Sequence, residues 1–149
     1  MHRTVAAALV AALLALGVAS CGGSETTTLN GDALVRRIEL ACRDGQRAAE
    51  EKARSASRSD GGEAFVEAIL ANERTVRDKL DGVTTAGAMK AEFEAFKQTV
   101  DRRVELIEQL TGVDRAQREA LVRRLQPQIE ATTRKLQELA RALEVDGCS

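Results

Sequence analysis

Between Met89 and Leu110 the apolar residues fall at Met89, Phe93, Phe96, Val100, Val104, Ile107 and Leu110, in steps of three and four. That spacing puts all seven on one side of an α-helix, the seam by which a helix joins a bundle. Composition points the same way. Proline occurs once, Trp and Tyr never and Phe three times, while Ala, Leu, Arg and Glu dominate. These are strong helix formers, and the β-branched and aromatic runs that fill sheets are missing. The chain reads as all-α.

Three further stretches carry helical patterning. One starts at Asn30 or Asp32, either able to cap a helix, and runs to about Ser57 through Leu34, Ile38, Ala41, Gly45, Ala48, Ala49, Ala53 and Ala56. Its later half is a thin alanine stripe that a partner helix can approach closely. Ser59-Asp60-Gly61-Gly62 interrupts it. The next, from about Glu63 to Asp81, has Phe65, Ile69, Val76 and Leu80 on a stripe shared with Asn72. Thr84 or Thr85 is the expected cap of the Met89–Leu110 helix. Asp114 is the expected cap of a last helix from about Arg115 to Leu143, with Leu121, Leu125, Ile129, Leu136, Leu139 and Leu143 on one face. Pro127 lies inside that helix; the apolar phase continues past it, which predicts a kink and not a break. Short turns favour antiparallel neighbours, so an up-down bundle of about four helices is expected over residues 31–149.

The front of the chain has another logic. Residues 1–20 divide like an export signal: His2 and Arg3, an apolar run from Val5 to Leu16, then small residues. The run is shorter than the roughly 20 residues that span a bilayer. The segment that follows, Val18-Ala19-Ser20-Cys21, resembles the lipobox of bacterial lipoproteins. The resemblance implies a diacylglycerol on the Cys21 sulfur, cleavage before Cys21, fatty-acyl chains such as palmitate, and residence on the extracytoplasmic face of the cell membrane. An ordinary secreted chain with a chance cysteine is the alternative. Two acyl chains hold firmly where one is marginal, at about 0.8 kcal/mol per buried methylene. Residues 21–30, small and polar, read as a flexible tether.

With Cys21 lipidated, Cys42 and Cys148 remain, an even pair in an oxidising compartment. Bundle topology sets the end of the last helix beside the first, near the same two residues. A disulfide between them would close a loop of roughly 100 residues, for which the chain-entropy model gives about 4–5 kcal/mol; two free thiols are the other reading. The layout is similar to that of small helical lipoproteins of high-GC Gram-positive bacteria, on Ile38-Glu39-Leu40-Ala41-Cys42 and Leu143-Glu144-Val145-Asp146-Gly147-Cys148. It departs from them at Leu80-Asp81-Gly82-Val83, where they carry a proline. That resemblance implies a paired-cysteine bundle and no activity.

Little else carries chemistry. His2 is the only histidine and would leave with the signal, which removes His-based acid–base catalysis and His metal sites. There is no Cys-x-x-Cys and no phosphate-binding glycine loop. Glu63 and Glu67 share a helix face, but a solvated charged surface explains them. The net charge of −1 and the scarcity of aromatics argue against nucleic acid as a partner. Arginine doublets at Arg36-Arg37, Arg102-Arg103 and Arg123-Arg124, with Arg115 and Arg118, read as surface ion pairs, or as contacts to anionic headgroups or cell-wall polymers. No catalytic residue, cofactor or metal is expected. The functional expectation is a membrane-anchored, non-enzymatic interaction or scaffold module that meets an envelope protein; the alternative is a carrier or sensor of a small apolar ligand held between helices, with Phe93 and Phe96 as cavity lining.

Overall fold

A computed structural model describes residues 26–56 and 61–148. Residues 1–20, read above as an export signal, and Cys21 lie outside the described residues. Four helices make the fold: α1 (Asp32–Ser55), α2 (Gly61–Leu80), α3 (Lys90–Glu108) and α4 (Arg115–Ala142). The fold is an all-α bundle. Cross-helix pairs give the order of packing. Lys52 meets Glu67 and Asp44 meets Lys79 between α1 and α2; Arg103 meets Glu73 and Arg74 meets Glu108 between α2 and α3. Arg102 meets Gln128 and Arg103 meets Thr133 between α3 and α4.

Two core clusters divide the bundle along its length. The first joins all four helices through Leu34, Ile38, Val76, Leu80, Phe93, Phe96, Val100, Leu139 and Leu143. The second draws only on α2, α3 and α4, through Val66, Leu70, Val104, Ile107, Leu110 and Leu125. Phe93 and Phe96 are fully buried core residues. The α1–α2 approach is close because Gly45 is buried at the crossing. A Cβ there would come within 2.9 Å of both the Asn72 carbonyl oxygen and Val76 Cγ2.

Several expectations about caps and boundaries are revised. A short parallel pairing joins β1 (Thr27–Thr28) to β2 (Val83–Thr84). Thr27 N–H donates to the Gly82 carbonyl at 2.8 Å and Leu29 N–H to that of Thr84 at 2.9 Å. Asn30, expected to cap α1, instead accepts from the Thr85 hydroxyl (2.9 Å) and the Ala86 N–H (3.0 Å) through its Oδ1. Gly31 precedes α1 with no side-chain cap. Thr84 and Thr85 are therefore engaged by the N-terminal segment and do not cap α3, which follows a 3-10 turn at Gly87–Met89. So the four residues from Thr27 to Asn30, expected within the tether, are held on the bundle by backbone and side-chain bonds that no local pattern announces.

The expected cap of α4 is present in full. The Asp114 carboxylate accepts from Gln117 N–H while the Gln117 side chain accepts from Asp114 N–H, a capping box. The helix passes through Pro127 unbroken; Pro127 is exposed, so the Arg123 carbonyl that loses its partner faces the solvent side. At its far end Val145 N–H donates to the Ala140 carbonyl and Glu144 N–H to that of Arg141, around a left-handed Glu144 (φ 56°). This Schellman-type turn buries Val145 and sends the chain back across α1. There Cys148 reaches Cys42 at disulfide distance, with Cα atoms 5.4 Å apart. Gln46 Nε2 adds a bond to the Gly147 carbonyl at 3.2 Å.

Candidate functional site

The feature that packing does not explain is Phe65. It belongs to the apolar stripe of α2, where core burial is the expectation, yet it is 67% exposed. The cause lies in α1. Its inward face begins with Leu34, Ile38, Ala41 and Cys42, then changes to Ala48, Ala49, Lys52 and Ala56. No bulky side chain of α1 is left to cover the last turns, so the α2 seam runs on beyond its partner. Phe65 is an apolar residue that joins neither buried core among the described residues.

A groove of about 1430 Å³ results, walled by the end of α1, the start of α2 and the start of α4. Phe65 and Val122, the latter 40% exposed, give it an apolar surface. Residues 57–60, which join α1 to α2, lie outside the described residues. The groove is braced by Arg118, whose side chain is only 12% exposed. Its guanidinium donates to Glu63 Oε2 at 2.5 Å, to the Val113 carbonyl at 2.8 Å and to the Leu110 carbonyl at 3.1 Å. One side chain thereby ties the first turn of α2 to the α3–α4 turn. Lys52 closes the opposite wall by pairing with Glu67 at 2.9 Å. Glu63 and Glu67, read from the sequence as facing carboxylates, are thus each engaged by a separate cation.

At the junction of the two cores lies a buried ion pair that sequence reading missed. Arg103 donates to Glu73 Oε1 from Nε (2.9 Å) and Nη2 (2.7 Å), and to Thr133 Oγ1 from Nη1. The side chains are 15% and 5% exposed. Half of the Arg102-Arg103 doublet therefore faces inward; the other half, Arg102, meets Glu105 and Gln128 at the surface. The only available signal was Glu73 falling among Ile69, Val76 and Leu80 on α2. A cavity of about 110 Å³ adjoins this pair and the cysteines. It is smaller than the roughly 300–1,000 Å³ of small-molecule pockets and is lined in part by Glu73 and Arg103. Asn72 sits over Gly45, its Oδ1 buried with no hydrogen-bond partner among the described residues.

Elsewhere the Asp44 carboxyl is held below its ordinary range by hydrogen bonding to Lys79 and by the nearby Arg47. Among the described residues no three His, Cys, Asp or Glu side chains gather as a metal site would require, and no helix is long and apolar enough to cross a membrane. No protein-family model, curated protein or solved structure matches the chain.

Proposed function

We propose that this chain is a lipid-anchored protein of the bacterial cell envelope that acts without catalysis, by holding a segment of a partner protein in the groove at Phe65. The observation that carries the reading is a large apolar side chain standing uncovered on a packing seam, among the described residues, beside a second exposed apolar residue, Val122. The groove exceeds the roughly 300–1,000 Å³ of small-molecule pockets, which favours a polypeptide over a small apolar ligand. An exposed aromatic is also the kind of residue on which interface energy concentrates.

Anchoring suits that role. The lipobox-like Val18-Ala19-Ser20-Cys21 supports a lipid on Cys21, and the chain joins the bundle at Thr27, six residues later. Six residues reach at most about 20 Å. Phe65 lies at the other end of α2 from β2, about 22 Å from Leu80 along the helix at 1.5 Å per residue. An anchor at the β1 end thus leaves the groove at the end away from the attachment point.

A photo-crosslinking side chain at position 65 or 122, in an exporting host, tests the reading. The expected result is one discrete adduct of defined mass from each, absent when the probe replaces the exposed Gln98 on α3. Indistinguishable products from all three positions, or none, would end the proposal. Separately, Cys21→Ser should abolish fatty-acid incorporation; label retained in that variant would remove the anchor.

A further inference from the structure

The outer face of α1 carries a second, different surface. At 100° per residue Arg36, Arg43, Arg47 and Arg54 fall within a narrow arc opposite the buried Leu34, Ile38 and Gly45, and Leu40 lies beside them. All five side chains are exposed, Leu40 by 46%. Arg37 is exposed too, about 100° round the helix from that arc. Arg47 pairs with Asp44, and Arg54 donates to the Glu50 carbonyl. Among the described residues Arg36, Arg37 and Arg43 take part in no ion pair.

None of the nearby acids pairs with these three. Asp44 is held by Lys79 as well as Arg47, and Glu39 accepts from the Asp146 N–H; Asp32, Glu50 and Glu51 lie within about 60° of the middle of the stripe. The result is a group of guanidinia without ion pairs, among the described residues, around an exposed leucine. It contrasts with Arg103 and Arg118, whose guanidinia are absorbed within the bundle.

We infer that the outer face of α1 docks on an anionic phospholipid bilayer, with Arg36 and Arg43 on headgroup phosphates and Leu40 dipping among the acyl chains. Charge complementarity selects an anionic surface, and the exposed leucine at the centre of the cations selects a bilayer over a soluble polyanion. Position agrees: the patch lies in the first turns of α1, which starts at Asp32, five residues after Thr27. A lipid on Cys21 would therefore leash this face close to the membrane. Lys52 and Ala56, which α1 gives to the groove wall, lie on the side of the helix away from the arginine stripe. A bundle lying on its arginine face keeps the groove open to a partner. That orientation rests on the anchored reading; the surface itself does not.

Both core clusters, the β1–β2 pairing and the cysteine pair lie within residues 26–148, so a chain starting at Gly22 contains the folded unit and carries no lipid. Its binding to vesicles of equal parts phosphatidylglycerol and phosphatidylcholine is measured by co-sedimentation at low salt, with circular dichroism to verify folding. The expected results are binding that vanishes on pure phosphatidylcholine, a loss of at least about tenfold for the double variant Arg36→Glu, Arg43→Glu, and a smaller loss for Leu40→Ser. Reversal at Arg123 and Arg124 should leave binding within about twofold. No binding to the anionic vesicles, or equal losses from the two reversed pairs, would overturn the assignment. So would binding that Leu40→Ser leaves unchanged and soluble polyphosphate displaces completely, since that is a polyanion site. Because no lipid is attached, these outcomes stand apart from the fate of Cys21→Ser.

Discussion

The two ends of this bundle are made by the same helices under different constraints. At the end that holds β1, all four helices place bulky side chains in one core, and the C-terminal turn brings Cys148 to Cys42. At the other end α1 contributes no residue to the buried cluster, and α2, α3 and α4 close around Val66, Leu70, Val104 and Leu125 without it. The lesson is that a helix can continue after its packing role has ended. Along α1 the backbone hydrogen bonds persist to Ser55, but burial stops at Gly45, about three turns earlier, beyond which the inward positions are alanine and lysine. Stability concentrates at one end and an accessible apolar surface at the other.

The sharpest way to break this contrast is to make the same change at each end. Phe96→Ala, in the four-helix core, should lower stability by about 3–5 kcal/mol in denaturant unfolding. Phe65→Ala should stay within about 0.5 kcal/mol of the parent while losing the crosslinked adduct at Val122. Equal losses would mean that Phe65 is a core residue and the groove is not open.

The junction between the ends should be nearly as sensitive. Arg103→Ala leaves Glu73 buried without its cation, and the expected loss is about 3–5 kcal/mol. Adding Glu73→Gln to that variant should recover part of it, measured by the same unfolding curves. A loss below about 1 kcal/mol, on the scale of an exposed pair, would show that Glu73 is hydrated.

Reducing the cysteine pair tests whether the stable end owes its order to the crosslink. Its 106-residue separation predicts a loss of about 2–5 kcal/mol, with hydrogen exchange increased first in the Leu143–Cys148 segment and the start of α1. Unchanged exchange there would assign the order to packing alone.

Smaller effects sharpen the picture. Gly45→Ala forces a methyl group against Asn72 and Val76; the overlap should cost about 1–3 kcal/mol despite alanine's better helix propensity. An unaltered melting temperature would show that α1 and α2 separate freely. Glu144→Gly should act in the opposite direction, stabilising by up to about 1 kcal/mol, because glycine accepts the left-handed conformation that glutamate occupies with strain. A destabilised variant would mean that the Glu144 side chain contributes more than its backbone strain removes.

Much of the architecture was legible in the residues. The Met89–Leu110 stripe, the helical spacing in α4 and the Asp114 cap follow from periods and side chains that act within a few residues, and the structure has them. Cysteine parity and bundle topology pointed to Cys42 with Cys148, and the fold brings them together. The reading of α2 failed in its first half, where Phe65 is exposed and the buried residues are Val66 and Leu70, outside the expected stripe. A stripe of Phe65, Ile69, Val76 and Leu80 says which face is apolar, but not whether another helix lies opposite each member.

By itself the chain determined where helices form and which side of each is apolar, because those properties depend on neighbours three and four positions away. The proposed lipid attachment rests on the sequence alone, on the resemblance of Val18-Ala19-Ser20-Cys21 to a lipobox. Only tertiary structure decided the rest. Thr84 and Thr85 bond the N-terminal segment and not the start of α3, Arg103 faces inward while Arg102 faces out, and Phe65 stays exposed among the described residues. Each outcome depends on what a distant part of the chain places opposite the residue, and sequence spacing does not encode that distance.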